Sequence, residues 1–199
     1  MLTTRNATAR GERGFSMMEI LVTLFITAIG LLGLAGLQSR LQLADLEAYQ
    51  RAQALILVND IVDRINANRS AAPCYAITGA GAPGPYLGDT SGGGHLGVPA
   101  CGIGSATAEE VARANADLGE WDTLLQGGAE QRGGAAIGAM VAARGCVSFD
   151  GGTSAYTIVV AWQGLADTFA PTVSCGNNLY GTETLRRSVW TTVRIASLL

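Results

Sequence analysis

From Phe15 to Leu37 the chain runs for 23 residues with a single charged side chain, Glu19. As a helix such a run covers about 35 Å at ~1.5 Å per residue, enough to cross a hydrocarbon core about 30 Å thick. An acidic group inside a membrane-length segment costs roughly 2.5–3.5 kcal/mol on insertion scales, so its presence calls for a functional reason. Arg5, Arg10 and Arg13 precede the run, which puts the N-terminus on the cytoplasmic side by the positive-inside rule.

A secretory signal peptide has a shorter apolar core and a small-residue cleavage site after it. Here the small residue, Gly14, stands before the run. An ordinary signal anchor accounts for the length and the basic flank but not for Glu19 or for the Gly14-Phe15 junction. A basic leader ending in Gly14, then Phe15, then Glu19 at the fifth position resembles the class III signal of type IV prepilins. The resemblance implies cleavage by prepilin peptidase between Gly14 and Phe15, N-methylation of Phe15 and an assembly role for Glu19. Ile29-Gly30-Leu31-Leu32-Gly33-Leu34-Ala35-Gly36-Leu37-Gln38 resembles the first helix of the PilV family, the type IV pilus modification proteins. Val160-Ala161-Trp162-Gln163-Gly164 and the stretch from Arg186 to Ile195 are similar to that family's terminal strands.

Three Arg and one Glu lie in residues 1–14, so removing this leader turns 13 basic and 16 acidic residues into 10 and 15, a net charge of −5. This acidic balance argues against nucleic-acid binding through a basic patch. Residues 70–199 are enough for one domain. All four cysteines, Cys74, Cys101, Cys146 and Cys175, lie beyond the apolar run, and an even count in an exported domain reads as two disulfides. Three pairings are possible. Cys74–Cys101 with Cys146–Cys175 is favoured, because each closes a loop of about 30 residues, worth ~3–4 kcal/mol on the chain-entropy model. A zinc site is disfavoured: there is no Cys-x-x-Cys pair, and the one histidine, His95, follows three glycines.

The first helix should continue past the membrane. Apolar or small residues recur at Leu41, Ala44, Ala48, Ala52, Leu55, Val58, Val62 and Ile65, a stripe at helical spacing. No proline interrupts residues 15–72, and Pro73 ends the pattern, so one helix is expected from about Ser16 to Asn68. The second half of the stripe is expected to pack on the head. Gly30, Gly33 and Gly36 recur every third residue, where each glycine costs ~1 kcal/mol against Ala, and they suit close helix packing or local unwinding.

Residues 79–104 hold ten glycines and three prolines and read as a long loop. Gly79, Gly81 and Gly84 fit G-x-G-x-x-G, but Pro83 and Pro85 break it and no strand precedes it, so dinucleotide binding is rejected. Ala106 to Gln126 reads as a second helix, capped by Thr107, with Glu109 and Glu110 in its first turn. Val111, Ala114, Leu118, Trp121, Leu124 and Leu125 form its apolar face. A ragged strand from Ile137 to Phe149 is interrupted at Gly145-Cys146. A turn at 150–153, a strong strand from Tyr156 to Gln163 and a last strand from Arg187 to Ile195 complete an antiparallel sheet.

The expected fold is therefore α+β and pilin-like: a long N-terminal helix on a small C-terminal antiparallel sheet. The expected divisions are a leader at 1–14, a transmembrane helix at 15–38, an amphipathic continuation at 39–69 and a periplasmic head at 70–199 with the loop at 79–104. No catalytic constellation emerges. Gly102-Ile103-Gly104-Ser105-Ala106 lacks the final glycine of a nucleophile elbow, and Asp150, Asp167 and Glu183 lack calcium-loop spacing. No enzyme activity, cofactor, metal or small-molecule substrate is expected. The resemblance implies a minor pilin of the inner membrane that meets prepilin peptidase and other minor and major pilins and reaches the pilus at the cell surface. The alternatives are a minor pseudopilin of a type II secretion system and a membrane-tethered adhesin.

Overall fold

The computed structural model describes residues 14–97, 101, 106–133, 135–136 and 140–195. The basic leader up to Arg13, Gly102–Ser105 and the start of the expected strand at 137–139 lie outside the described residues. The fold is α+β. Helix α1 spans Met17–Ala67 without a break, and the chain divides into two compact units at Ala44/Asp45.

After Asn68 a 3-10 stretch, Arg69–Tyr75, contains Pro73 and ends the helical run. The rest of the second unit holds α2 (Ala108–Leu125) and the strands β1 (Leu87–Gly88), β2 (Gln131–Arg132), β3 (Ala135–Ala136), β4 (Val141–Asp150), β5 (Ala155–Gln163) and β6 (Arg186–Val193). The main sheet has the order β1-β4-β5-β6 and is antiparallel throughout; β2 and β3 form a separate small hairpin.

Helix α2 starts where its sequence says it should. Thr107 caps it: the Glu110 amide donates to the Thr107 hydroxyl at 3.3 Å, and the Thr107 amide donates to the Glu110 carboxylate at 2.7 Å, a complete capping box. Its buried face, Ala114, Leu118, Trp121 and Leu125, meets Ala54, Leu57, Val58, Ile61 and Ile65 of α1 and Val147, Ile158, Val160 and Trp162 of the sheet in one core. The Trp121 indole N–H donates to the Leu57 carbonyl of α1 at 3.0 Å. Arg64 joins the two helices as well, donating to Asp60 at 2.9 Å, to Asp117 at 3.1 Å and to Glu120 at 2.7 Å. Asp117 also accepts from the Tyr75 hydroxyl, which burial and this carboxylate push well above the usual phenol range.

Three expectations are corrected. The stripe of α1 that enters the core is Gln50, Ala54, Leu57, Val58, Ile61 and Ile65. Of the expected positions only Val58 and Ile65 are buried and Val62 is half-buried, whereas Ala48, Ala52 and Leu55 are exposed. Both faces of this stretch carry apolar residues, and the packing of the head selects between them. The glycine-rich region is not loop alone. Leu87 and Gly88 pair with Gly145 and Arg144 as β1, so the sheet gains a strand. Gly145-Cys146 does not interrupt β4, which is paired on both sides there; the irregularity is a bulge between Val141 and Arg144.

Gly145 instead marks a close approach. A Cβ at that position would strike the Trp121 ring and Leu125. The absent side chain lets the far end of the Trp121 ring come up against the strand.

The sheet's other face carries a smaller cluster of Tyr86, Cys146, Val159, Ala161, Cys175 and Tyr180. The sulfurs of Cys146 and Cys175 are bonded across it with Cα atoms 5.9 Å apart, and those of Cys74 and Cys101 are bonded at the main core with Cα atoms 5.2 Å apart. Two arginines are buried on this side. Arg144, 1 % exposed, lies between the rings of Tyr86 and Tyr180, 5.1 and 4.7 Å from their centroids, and pairs with Asp89. Burial pushes the Tyr180 hydroxyl up to about 12. Arg186 donates to the carbonyls of Val173 at 2.6 Å, Cys175 at 3.3 Å and Pro171 at 3.1 Å and pairs with Glu183. Charge-assisted bonds of this kind offset the desolvation of a buried guanidinium.

Gly145→Ala should lower head stability by about 1–3 kcal/mol, because overpacking forces Trp121 or the strand to shift. Gly151→Ala, where an added methyl meets nothing, should change it by less than about 0.5 kcal/mol. Denaturant unfolding of the full chain in detergent, followed by tryptophan emission, separates the two; equal stabilities would refute the close approach.

Candidate functional site

The N-terminal end of α1 brings Gly14, Phe15 and Glu19 into one short stretch. Met17 is the first helical residue, so Ser16 is the cap position and Glu19 falls in the first turn. The Ser16 hydroxyl accepts from the Glu19 amide at 3.2 Å, and the Ser16 carbonyl accepts from the Glu19 and Ile20 amides at 3.0 and 3.4 Å. Ser16-Met17-Met18-Glu19 thus has the S-x-x-E spacing of a helix start, and its serine half is in place. A carboxylate in the first turn lies at the positive end of the helix dipole, a favourable place for an acidic residue. Gly14 and Phe15 precede the helix in an irregular, exposed stretch, with Phe15 80 % exposed. A peptide bond in that position is accessible without unwinding the helix.

Beyond Glu19 the segment is apolar, and its residues as far as Leu37 are exposed. Its most apolar window is wholly unburied, and the helix is long and apolar enough to cross a membrane. The polar side chains within it are internally satisfied. Thr23 donates to the Ile20 carbonyl at 2.9 Å and Thr27 to the Thr23 carbonyl at 2.7 Å, so neither hydroxyl needs water. Gly30, Gly33 and Gly36 have nothing within 4 Å of where a Cβ would stand. The chain's own packing therefore gives no reason for glycine at these positions.

The other residues of interest fall in the second unit and do not converge. His95 Nε2 lies 2.9 Å from Asp122 Oδ1, and its Nδ1 accepts from the Gly97 amide at 3.1 Å, so the imidazole serves to pin the 86–97 turn to α2. Asp150 accepts from the Thr153 hydroxyl at 2.8 Å and the Gly152 amide at 2.9 Å, and these bonds hold its carboxyl below the usual range. Asp167 accepts from the Thr184 hydroxyl, while Glu183 pairs with Arg186 and accepts from the Asn178 amide. Among the described residues no three His, Cys, Asp or Glu side chains gather as metal ligands. Arg144 and Arg186 were not foreseen. The sequence holds no signal for their burial: both alternate onto the face of the sheet opposite the main core, where an arginine is expected to meet solvent.

Residues 9–35 match the family model described as the prokaryotic N-terminal methylation motif. No curated protein and no solved structure matches the chain. The motif covers the Gly14-Phe15 junction, Glu19 and most of the apolar run. It supports a type IV pilin-like or pseudopilin-like protein, anchored in a membrane, with a structural rather than an enzymatic role.

Ser16→Ala removes the cap and should cost about 1 kcal/mol locally, which raises amide exchange at Glu19 about fivefold. Ser16→Asn, a comparable cap, should restore protection. Exchange rates measured on the full chain in nanodiscs test this, and an unchanged rate in Ser16→Ala would remove the capping role.

Proposed function

We propose that this chain is a minor pilin of the PilV type, cut by prepilin peptidase between Gly14 and Phe15 and methylated on the Phe15 amine. It then enters, or primes, a type IV pilus. The observation that carries this reading is the carboxylate of Glu19 in the first turn of a membrane-length helix, inside the segment that matches the methylation motif. Before cleavage the chain is held in the inner membrane with its head in the periplasm, an oxidising compartment in which the disulfides Cys74–Cys101 and Cys146–Cys175 persist. Its partners are prepilin peptidase and other minor and major pilins, and neither a cofactor nor a small-molecule substrate enters the reading.

Cleavage would convert a peptide bond into a positive amine four residues from Glu19. In a low dielectric both ions need a partner, since an isolated buried charge costs several kcal/mol. The carboxylate of an incoming subunit pairing with the amine of a neighbour fixes axial register and draws the helix from the bilayer.

Gly14→Leu should leave the precursor uncut, 14 residues longer and absent from filaments. Mass spectrometry of the wild-type protein should find Phe15 as the methylated first residue; an intact Met1 N-terminus on the membrane-inserted protein would sink the proposal.

Glu19→Gln should leave cleavage largely intact and reduce incorporation. The measurement is cross-linking of the mature variant to other pilins, together with counts of surface pili. Normal cross-linking and piliation in a strain that depends on the variant refute the role of Glu19. A deletion that spares pili but blocks protein secretion would assign the chain to a secretion system instead.

A further inference from the structure

The outer face of the sheet is covered over only part of its length. At one end Tyr86, Tyr180 and the Cys146–Cys175 bridge lie over Val159 and Ala161. Further along, Ser148, Thr157 and Thr192 occupy facing positions on β4, β5 and β6, on the same face, and are not buried. Residues 78–82 and 172–174 border this open ground and leave a groove of about 330 Å³ over Ser148 and Thr157. At its side stands Trp190, paired with Val159 on the floor and 54 % exposed. Cross-strand neighbours on one face have Cβ atoms about 4.5–5.5 Å apart, which places Trp190 next to Val159 at the side of the groove floor. The other two tryptophans, Trp121 and Trp162, are buried in the core.

The chemistry of this ground narrows what it can hold. The hydroxyls of Ser148, Thr157, Thr172 and Ser174 have no hydrogen-bond partner among the described groups, and each can both donate and accept. Asp150 adds one carboxylate, and among the described residues no Arg or His lines the groove, so an anionic ligand finds no counter-charge in that lining. A peptide could not join as a strand there. On its two sides β4 is already occupied, by β5 and by β1, and Thr78 bridges to Ser148. A neutral ligand rich in hydroxyls, with an apolar C–H face to lie on the indole, satisfies all of these conditions.

We propose that this groove binds a neutral oligosaccharide, with Trp190 as the stacking platform and Ser148, Asp150, Thr157 and the 172–174 rim as hydrogen-bonding partners. A pyranose ring places its C–H face on the indole, and aromatic faces favour such contacts with weakly positive edges and hydrogens. Its hydroxyls exchange bonds with the serine and threonine hydroxyls, and one of them donates to Asp150. The site does not depend on whether the protein enters a filament.

The test uses the full chain in phosphatidylcholine nanodiscs, titrated with neutral glucose, galactose, mannose and N-acetylglucosamine pentamers and with a galacturonic acid pentamer. Tryptophan emission and acrylamide quenching report on the wild type, and calorimetry reports on the variants. At least one neutral pentamer should give a saturable change with protection of one tryptophan. Trp190→Ala and Thr157→Val should each weaken binding by about tenfold or more, with Trp190→Phe intermediate, as expected when a central aromatic anchor is lost. No saturable response at millimolar sugar overturns the proposal, as does binding that Trp190→Ala and Thr157→Val leave unchanged. Tighter binding of the galacturonic acid pentamer overturns the neutral class.

Discussion

One uninterrupted helix has to satisfy two surroundings, and the rest of the molecule is arranged around that constraint. From Met17 onward α1 presents apolar side chains on every side, as a segment in hydrocarbon must. From Gln50 to Ile65 the same helix is the spine of the head, and there only one stripe can be core. Trp121 fixes that stripe through its bond to the Leu57 carbonyl, and Arg64 fixes it through three carboxylates on and across from the helix. The head thus grips α1 by a backbone atom and a charge as well as by apolar packing. Leu55 and Ile56, outside the grip, are exposed.

This explains which parts of the fold were legible in the sequence. The start of α2 was, because Thr107 and Glu110 carry a complete local signal that tertiary packing does not contradict. Strands β5 and β6 were, because their β-branched and aromatic density fits half-buried pleats. The buried stripe of α1 was not, because periodicity cannot choose between two apolar faces. Strand β1 was hidden because two residues among ten glycines give no period at all. Gly145 looked like a break because a glycine in a strand signals either a break or a close approach, and only the position of Trp121 decides. The N-terminal segment was legible for a different reason: the methylation motif matched by residues 9–35 is carried in linear sequence and does not depend on packing.

The two buried arginines show a second kind of information that a linear reading lacks. An arginine on a strand ordinarily counts as surface. Arg144 and Arg186 are enclosed because each organises loops that have little apolar content of their own. Arg144 gathers Tyr86, Asp89, Ser91 and Tyr180, and Arg186 gathers the carbonyls of 171, 173 and 175. Such loops cannot bury enough hydrocarbon to order themselves, so a multidentate donor supplies the cross-links. The Cys146–Cys175 bridge adds a covalent tie at the same place. Together they cover one end of the sheet's outer face and leave the other end open.

On the proposed reading, the electrostatics of the helix start change sign in their surroundings when the leader leaves. In the precursor, Glu19 stands in the first turn of α1, at the positive end of its dipole, with Arg5, Arg10 and Arg13 upstream in the sequence. If, as proposed, this end faces the cytoplasm, water and three arginines of the same leader are available to the one carboxylate. Cleavage removes all three arginines and leaves a single amine fixed next to the first turn. A carboxylate and one amine on the same helix end then have few partners besides each other and the same pair on an adjacent subunit. On the proposed reading, processing would do more than shorten the chain: it would exchange a carboxylate with several cations in its own leader for a charge pair best completed between subunits.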